Sequence, residues 1–130
     1  MCNVGVIDKQ YPEWCTEKLT IDEHLDYKFV MALEGNDVAS NLKWIMSSNS
    51  IAVMPHPTYE TWFMEGTLIP DYHYIEVKAD YSDLEAKIDY YINHPDEAQS
   101  IINHAHEYVD KFRNPQRECI ISMLVLDKYF

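Results

Sequence analysis

Basic residues are scarce in this chain: 10 Lys and Arg stand against 22 Asp and Glu in 130 residues, a formal net charge of −12. A surface this acidic repels phosphate backbones and anionic lipid headgroups. No general attraction to nucleic acid or to an anionic membrane surface is therefore expected, nucleic-acid binding is disfavoured, and only a local basic patch around one phosphate is left open. Cysteine is scarce too. Cys2, Cys15 and Cys119 form neither a Cys-x-x-Cys pair nor a metal-ligand spacing, so reduced thiols in a cytoplasmic protein are expected, and no metal. Long apolar runs are missing. The longest, "CIISMLVL" from Cys119, falls short of the roughly 18 residues of a membrane span and reads as a buried helix segment. The opening "MCNVGVIDKQ" lacks a basic stretch followed by an apolar one, so no secretory leader is expected. There is no Gly-x-Ser-x-Gly, and no cysteine stands in an evident activating context, so nucleophilic catalysis has no support.

Hydrophobic content of 47% is enough for a folded core in a chain the size of one domain. "NVGVI" at 3–7 is a strand candidate at the extreme start, as if the domain were cut from something larger; a loop with Pro12 and Trp14 follows. Thr20 and Glu23 have capping-box spacing and predict a short helix. "KFVMAL" and "SIAVMP" are continuous apolar runs, not alternating ones, as in strands buried on both faces of a parallel sheet. Between them Leu42, Ile45 and Met46 give the linking helix an apolar stripe. "YHYIEVK" from Tyr72 to Lys78 is a further strand.

Ser82 and Glu85 repeat the capping-box spacing, with Leu84, Ile88, Tyr91 and Ile92 at helical intervals. Pro95 suits a first helical position, with Asp96 and Glu97 at the positive end. Ala98, Ile101, Ile102, Ala105, Val109 and Phe112 then form one apolar face. Pro115 closes that region, and a last helix carries Ile120 to Leu126. Strands alternating with helices predict a Rossmann-like α/β domain, a parallel sheet in a three-layer arrangement.

Ligands of open parallel sheets sit at the carboxyl ends of the strands. "EGNDVAS" lies at such an end. Gly35 can take a positive φ and lets a ligand approach the backbone. Asn36 or Asp37 can cap the following helix, whose N–H groups favour a phosphate, and Lys43 adds a cation about two turns in. An ordinary βα turn explains the same residues, and Asp37 has the wrong charge for an anion site. Glu60, in "HPTYETWFMEG", follows a strand end and two prolines, so it is expected to face the same crevice and accept hydrogen bonds from sugar or ribose hydroxyls; a solvated helix residue is the bland alternative. His104 and His106 stand two apart on a helix and point in different directions, and His94 falls at a helix start, so surface histidines are expected there.

Taken together, "KFVMALEGNDVASNLKWIMSSNSIAVMP" and "YETWFMEGTLIPDYHYIEVKADYSDLEAKIDYYINHPDEAQSI" resemble the C-terminal part of glycosyltransferase family 90, from about Tyr27 to Phe112. The family includes bacterial lipopolysaccharide-core glycosyltransferases, fungal capsule xylosyltransferases and animal protein O-glucosyltransferases. "EGNDVASNLKW" looks closest to the bacterial lipopolysaccharide branch. The resemblance implies the C-terminal half of a GT-B architecture, two Rossmann-like domains facing a cleft, in which residues 1–130 are a single donor domain. It implies metal-independent transfer, with inversion, from a UDP-sugar to a hydroxyl of a glycan or lipid-linked acceptor. No cofactor beyond that donor is implied.

On matching positions, the turn and helix around Gly35, Asn36, Asp37 and Ser40 would hold the diphosphate with Asn41 and Lys43, and Glu60 the sugar or ribose. Asn41 departs from the pattern, because many eukaryotic members have an arginine there: an amide donates hydrogen bonds but carries no charge. Ser40 partly stands in for a shifted serine, and extra residues around Met64–Thr67 alter the far wall. The acceptor domain, and the general base it would bring, has no counterpart, so the isolated chain is expected to be inactive and no catalytic residue is assigned. In the full-length protein a cytoplasmic location, peripheral at the inner membrane, is expected. A degenerate Rossmann domain acting as a non-catalytic interaction module is the alternative. A receiver-like domain has only Asp8 as an echo.

Overall fold

The four residues Ile51 to Met54 are each 0–2% exposed, so this segment must be covered on both faces, as its unbroken apolar run predicts. A computed structural model describes residues 19–130. The strand expected at 3–7, and with it Cys2, Asp8, Pro12, Trp14 and Cys15, lies outside the described residues. The helices are α1 (Ile21–His24), α2 (Leu42–Met46), α3 (Leu84–Asn93), α4 (Pro95–Asp110) and α5 (Pro115–Tyr129). The strands are β1 (Phe29–Met31), β2 (Ile51–Met54) and β3 (Ile75–Glu76). All pairing is parallel, in the order β1-β2-β3, with Val30 opposite Ala52 and Val53 opposite Ile75.

Successive side chains of β2 go to opposite faces. Ile51 and Val53 pack with Ile75, Val77, Tyr91 and Ile101. Ala52 and Met54 pack with Leu42, Ile45, Met46, Phe63 and Tyr108. Thus α2 covers one face, α3 the other, and α4 contributes to both clusters. The five-residue α2 is too short to persist alone. Burial of Leu42, Ile45 and Met46 holds it, each contributing about 1.5–3 kcal/mol.

The α1 capping box forms as expected: Glu23 N–H donates to Thr20 Oγ1, and Thr20 N–H to the Glu23 carboxylate at 2.7 Å. The one expected at Ser82 and Glu85 does not. Asp83 Oδ1 instead accepts from the Lys78 N–H at 2.9 Å, and the helix starts one residue later, so Glu85 falls out of register with Ser82. The expected strand from Tyr72 to Lys78 shrinks to Ile75–Glu76 plus a single bridge between Pro70 and Tyr74. Pro70 has no N–H to donate, and Asp71, at φ 54, turns the chain before the ladder begins. Buried His73 secures that turn by accepting the Ile69 N–H on Nδ1 at 2.9 Å.

Pro95 and Pro115 both stand at helix starts, and Asn114 caps α5 through the N–H groups of Gln116 and Arg117. The run at 119–126 is not a buried segment: Ile120, Met123, Leu124 and Leu126 are 57–63% exposed, because no sheet face of the described residues reaches α5. No helix of the described residues is long and apolar enough to cross a membrane.

Candidate functional site

Because β1, β2 and β3 run parallel, their carboxyl ends lie along one edge of the sheet, and the connections leaving them share that edge. From β1 the chain passes through Leu33, Glu34 and Gly35 into a bend. An open depression of about 670 Å³ forms here, lined by Met31, Gly35, Asn36, Asp37, Ser40 and Asn41 among others. So five of the seven residues singled out in the sequence come together. The side chains of Lys43 and Glu60 do not line it.

The local chemistry differs from the expectation in several respects. Gly35 does not take a positive φ; what it provides is space, since a Cβ built on it would meet nothing within 4 Å. Its N–H donates to the Asp37 carbonyl at 3.1 Å, and Asp37 Oδ1 accepts the Val38 N–H at 2.8 Å. Neither Asn36 nor Asp37 therefore caps α2. The N-cap is Asn41, without a side-chain cap bond; its amide instead donates to the Met31 carbonyl at 2.9 Å and pins the helix start to β1. Lys43 is the second residue of α2, not two turns in. Its ammonium lies 3.1 Å from Glu65 Oε1 and 5.3 Å and 5.6 Å from the Phe63 and Trp62 ring centres.

Glu65 is a residue that sequence reading missed. It is 2% exposed and accepts the Thr61 N–H at 2.7 Å and the Thr61 hydroxyl at 2.8 Å, besides the Lys43 ammonium. Burial pushes its carboxyl upward, but the Thr61 bonds and Lys43 outweigh it, and the net shift is downward. These bonds fix the segment carrying Glu60. Glu60 is exposed and rests against Gly66, where an added Cβ would come within 3.3 Å of Glu60 Oε1.

Glu34 was also missed. Its carboxylate accepts the N–H groups of Thr58 and Tyr59, each at 3.1 Å, and the Thr58 hydroxyl. It therefore ties the end of β1, one residue before Gly35, to the segment leaving β2, two residues before Glu60. Glu34→Ala is expected to cost about 1–2 kcal/mol in stability, because two backbone donors lose a charged acceptor. Hydrogen exchange would show it as lost protection at the Thr58 and Tyr59 amides with little change in α4. At the other side of that segment His56 Nδ1 lies 3.1 Å from Glu76 Oε2, which also accepts the Tyr74 hydroxyl at 2.6 Å.

Of the histidines expected at the surface, His94 is exposed, whereas His104 and His106 are half-buried against distant parts of the chain. His104 stacks on Tyr72 with ring centres 3.6 Å apart, His106 contacts the Ser48 carbonyl, and His94 stacks on Tyr90. No cluster of metal-ligating side chains occurs among the described residues.

Comparison with protein families and with curated proteins finds relatives of this chain. The sequence pattern described as glycosyl transferase family 90 matches residues 7–124. The chain is also 41% identical over 132 aligned residues to a curated protein of Dichelobacter nodosus described as O-glucosyltransferase LpsA. That alignment takes in 100% of this chain and 42% of the relative, so the chain spans less than half the relative's length.

Proposed function

Because the chain belongs to glycosyl transferase family 90, we propose that it is the donor-binding half of a glycosyltransferase, holding a UDP-sugar at the carboxyl edge of its parallel sheet. The observation that carries this reading is the depression at the end of β1, where Gly35 leaves open space beside Asn36, Ser40 and Asn41. A diphosphate there would take hydrogen bonds from the Ser40 hydroxyl and the second Asn41 amide hydrogen. Glu60, on the segment that Glu34 and Glu65 hold in place, would accept hydroxyls of the ribose or the transferred sugar.

The sugar passes to a hydroxyl of a lipopolysaccharide or other surface glycan without a metal, as the family resemblance implies. The general base and the acceptor come from the other domain of a two-domain enzyme, so this chain alone binds donor but does not transfer. The relative's description makes UDP-glucose the first donor to try, with UDP-galactose as comparison.

Gly35→Val tests the reading. The fold leaves room for the side chain and Gly35 is not in the left-handed region, so the melting temperature is expected to hold. The branched side chain would fill the depression, and UDP binding is expected to weaken about tenfold or more. Retained stability with undiminished UDP affinity would show that the diphosphate lies elsewhere.

A further inference from the structure

The crest of the sheet poses a charge problem. A diphosphate needs positive charge, yet Asn41 has none and Lys43 is turned to buried Glu65. Glu34, Asp37, Glu60 and Glu76 all stand at or just beyond strand ends. Among the three residues that follow each of β1, β2 and β3, the cationic or protonatable bases are His56 and Lys78.

His56 alone is built into a relay. Glu76 Oε2 lies 3.1 Å from its Nδ1 and is held in turn by the hydroxyl of fully buried Tyr74. A carboxylate only accepts, so the hydrogen of this contact is on Nδ1. The imidazole is 65% exposed, and its Nε2 makes no hydrogen bond among the described residues. His56 also lies on the segment whose next residues, Thr58 and Tyr59, are bound by Glu34 beside the Gly35 bend. The short stretch 56–59 thus straps together the ends of all three strands, with a buttressed imidazole on it.

We infer that His56 is a phosphate-binding residue of the donor site, donating Nε2–H to the diphosphate with Glu76 holding the ring from behind. The assignment rests on the donor-site reading above. Donation from Nδ1 to Glu76 and from Nε2 to a phosphate at once is the pattern of the imidazolium, whose charge would then lie between the carboxylate and the diphosphate. Glu76 is a positioning residue, fixing the ring's direction without touching the ligand. The crest thereby gains the charge that Asn41 withholds.

The test is a calorimetric titration of the full chain with UDP, and an amide-shift NMR titration with uridine, which has the base and ribose but no phosphate. His56→Ala is expected to weaken UDP about tenfold while leaving uridine unchanged, and His56→Lys to recover most of the loss. Glu76→Gln is expected to weaken UDP alone, with the circular dichroism spectrum unaltered. Unchanged UDP affinity in His56→Ala, or an equal loss for UDP and uridine, would overturn the assignment while leaving the donor site standing. A loss in Lys78→Ala but not in His56→Ala would move the charge to the β3 edge and overturn it as well. Absence of UDP binding by the parent chain would overturn the donor-site reading, and this inference with it.

Discussion

Phe63→Ala is expected to lower the unfolding free energy by about 3–5 kcal/mol, the usual cost of emptying an aromatic site in a core. Phe63 is 2% exposed and meets the rings of Tyr108 at 5.3 Å and Phe112 at 5.1 Å. The Tyr108 hydroxyl also donates to the Phe63 carbonyl at 2.6 Å and the Met64 carbonyl at 2.9 Å. One side chain thus docks the irregular segment between β2 and β3 onto α4. Removing it opens a cavity between that segment and the helix and loosens the backbone that carries Glu60. Urea unfolding would read the first effect as a lower midpoint. Donor affinity, measured where the variant is still folded, would read the second. A loss below about 1 kcal/mol would mean that Tyr108 and Phe112 close over the gap, contrary to the close packing of such cores.

Lys43→Met is expected to cost about 2–3 kcal/mol, because it keeps the apolar stem over Phe63 and Trp62 but leaves the buried Glu65 carboxylate without its cation. Lys43→Met combined with Glu65→Gln should recover part of that loss, since no buried charge is then stranded. A double variant no more stable than the single one would count against the pairing as the cause.

The same carboxylate makes stability depend on acid. The Glu65 carboxyl is held below its ordinary value of 4.5, so its contribution is fully present above that value and is lost as pH falls through the lower folded one. His73 acts in the same direction. Burial first, then the nearby positive charges of Lys111 and His104, hold its imidazole below the ordinary 6.5, so stability begins to fall as pH drops below that value. Melting temperature is therefore expected to be level at neutral pH and to decline in two stages on acidification. His73→Gln, which can still accept the Ile69 N–H, should remove the upper stage. A melting temperature that rose between pH 7 and pH 5 would contradict the His73 assignment, and one that stayed level well below pH 4.5 would contradict the Glu65 assignment.

Much of the fold was legible in sequence because its signals are local. The unbroken apolar runs became β1 and β2, and the stripe of Leu42, Ile45 and Met46 became the buried side of α2. Thr20 and Glu23 capped a helix as their spacing demanded. Errors came where a nearby polar group had a competing partner. Asp83 was drawn to the Lys78 N–H, which displaced the second capping box. Asp37 folded back onto Val38 in place of capping α2, and Asn41 reached the Met31 carbonyl. In each case several acceptors lay within a few residues, and only the folded backbone decided which donor each would meet.

The candidate site shows the same division more sharply. By itself the sequence determined that a glycine bend follows an apolar strand, and that Gly35, Asn36, Asp37, Ser40 and Asn41 lie close enough along the chain to line one depression. It could not determine that Lys43 faces Glu65, 22 residues away, that Glu34 holds Thr58 and Tyr59, 24 and 25 away, or that His56 meets Glu76, 20 away. Helical and strand periodicity reports which face a residue occupies, not which distant residue shares that face. Those pairings were set by tertiary structure: a parallel sheet brings the carboxyl ends of strands distant in sequence to one edge, and the charges along it pair there across the strand ends.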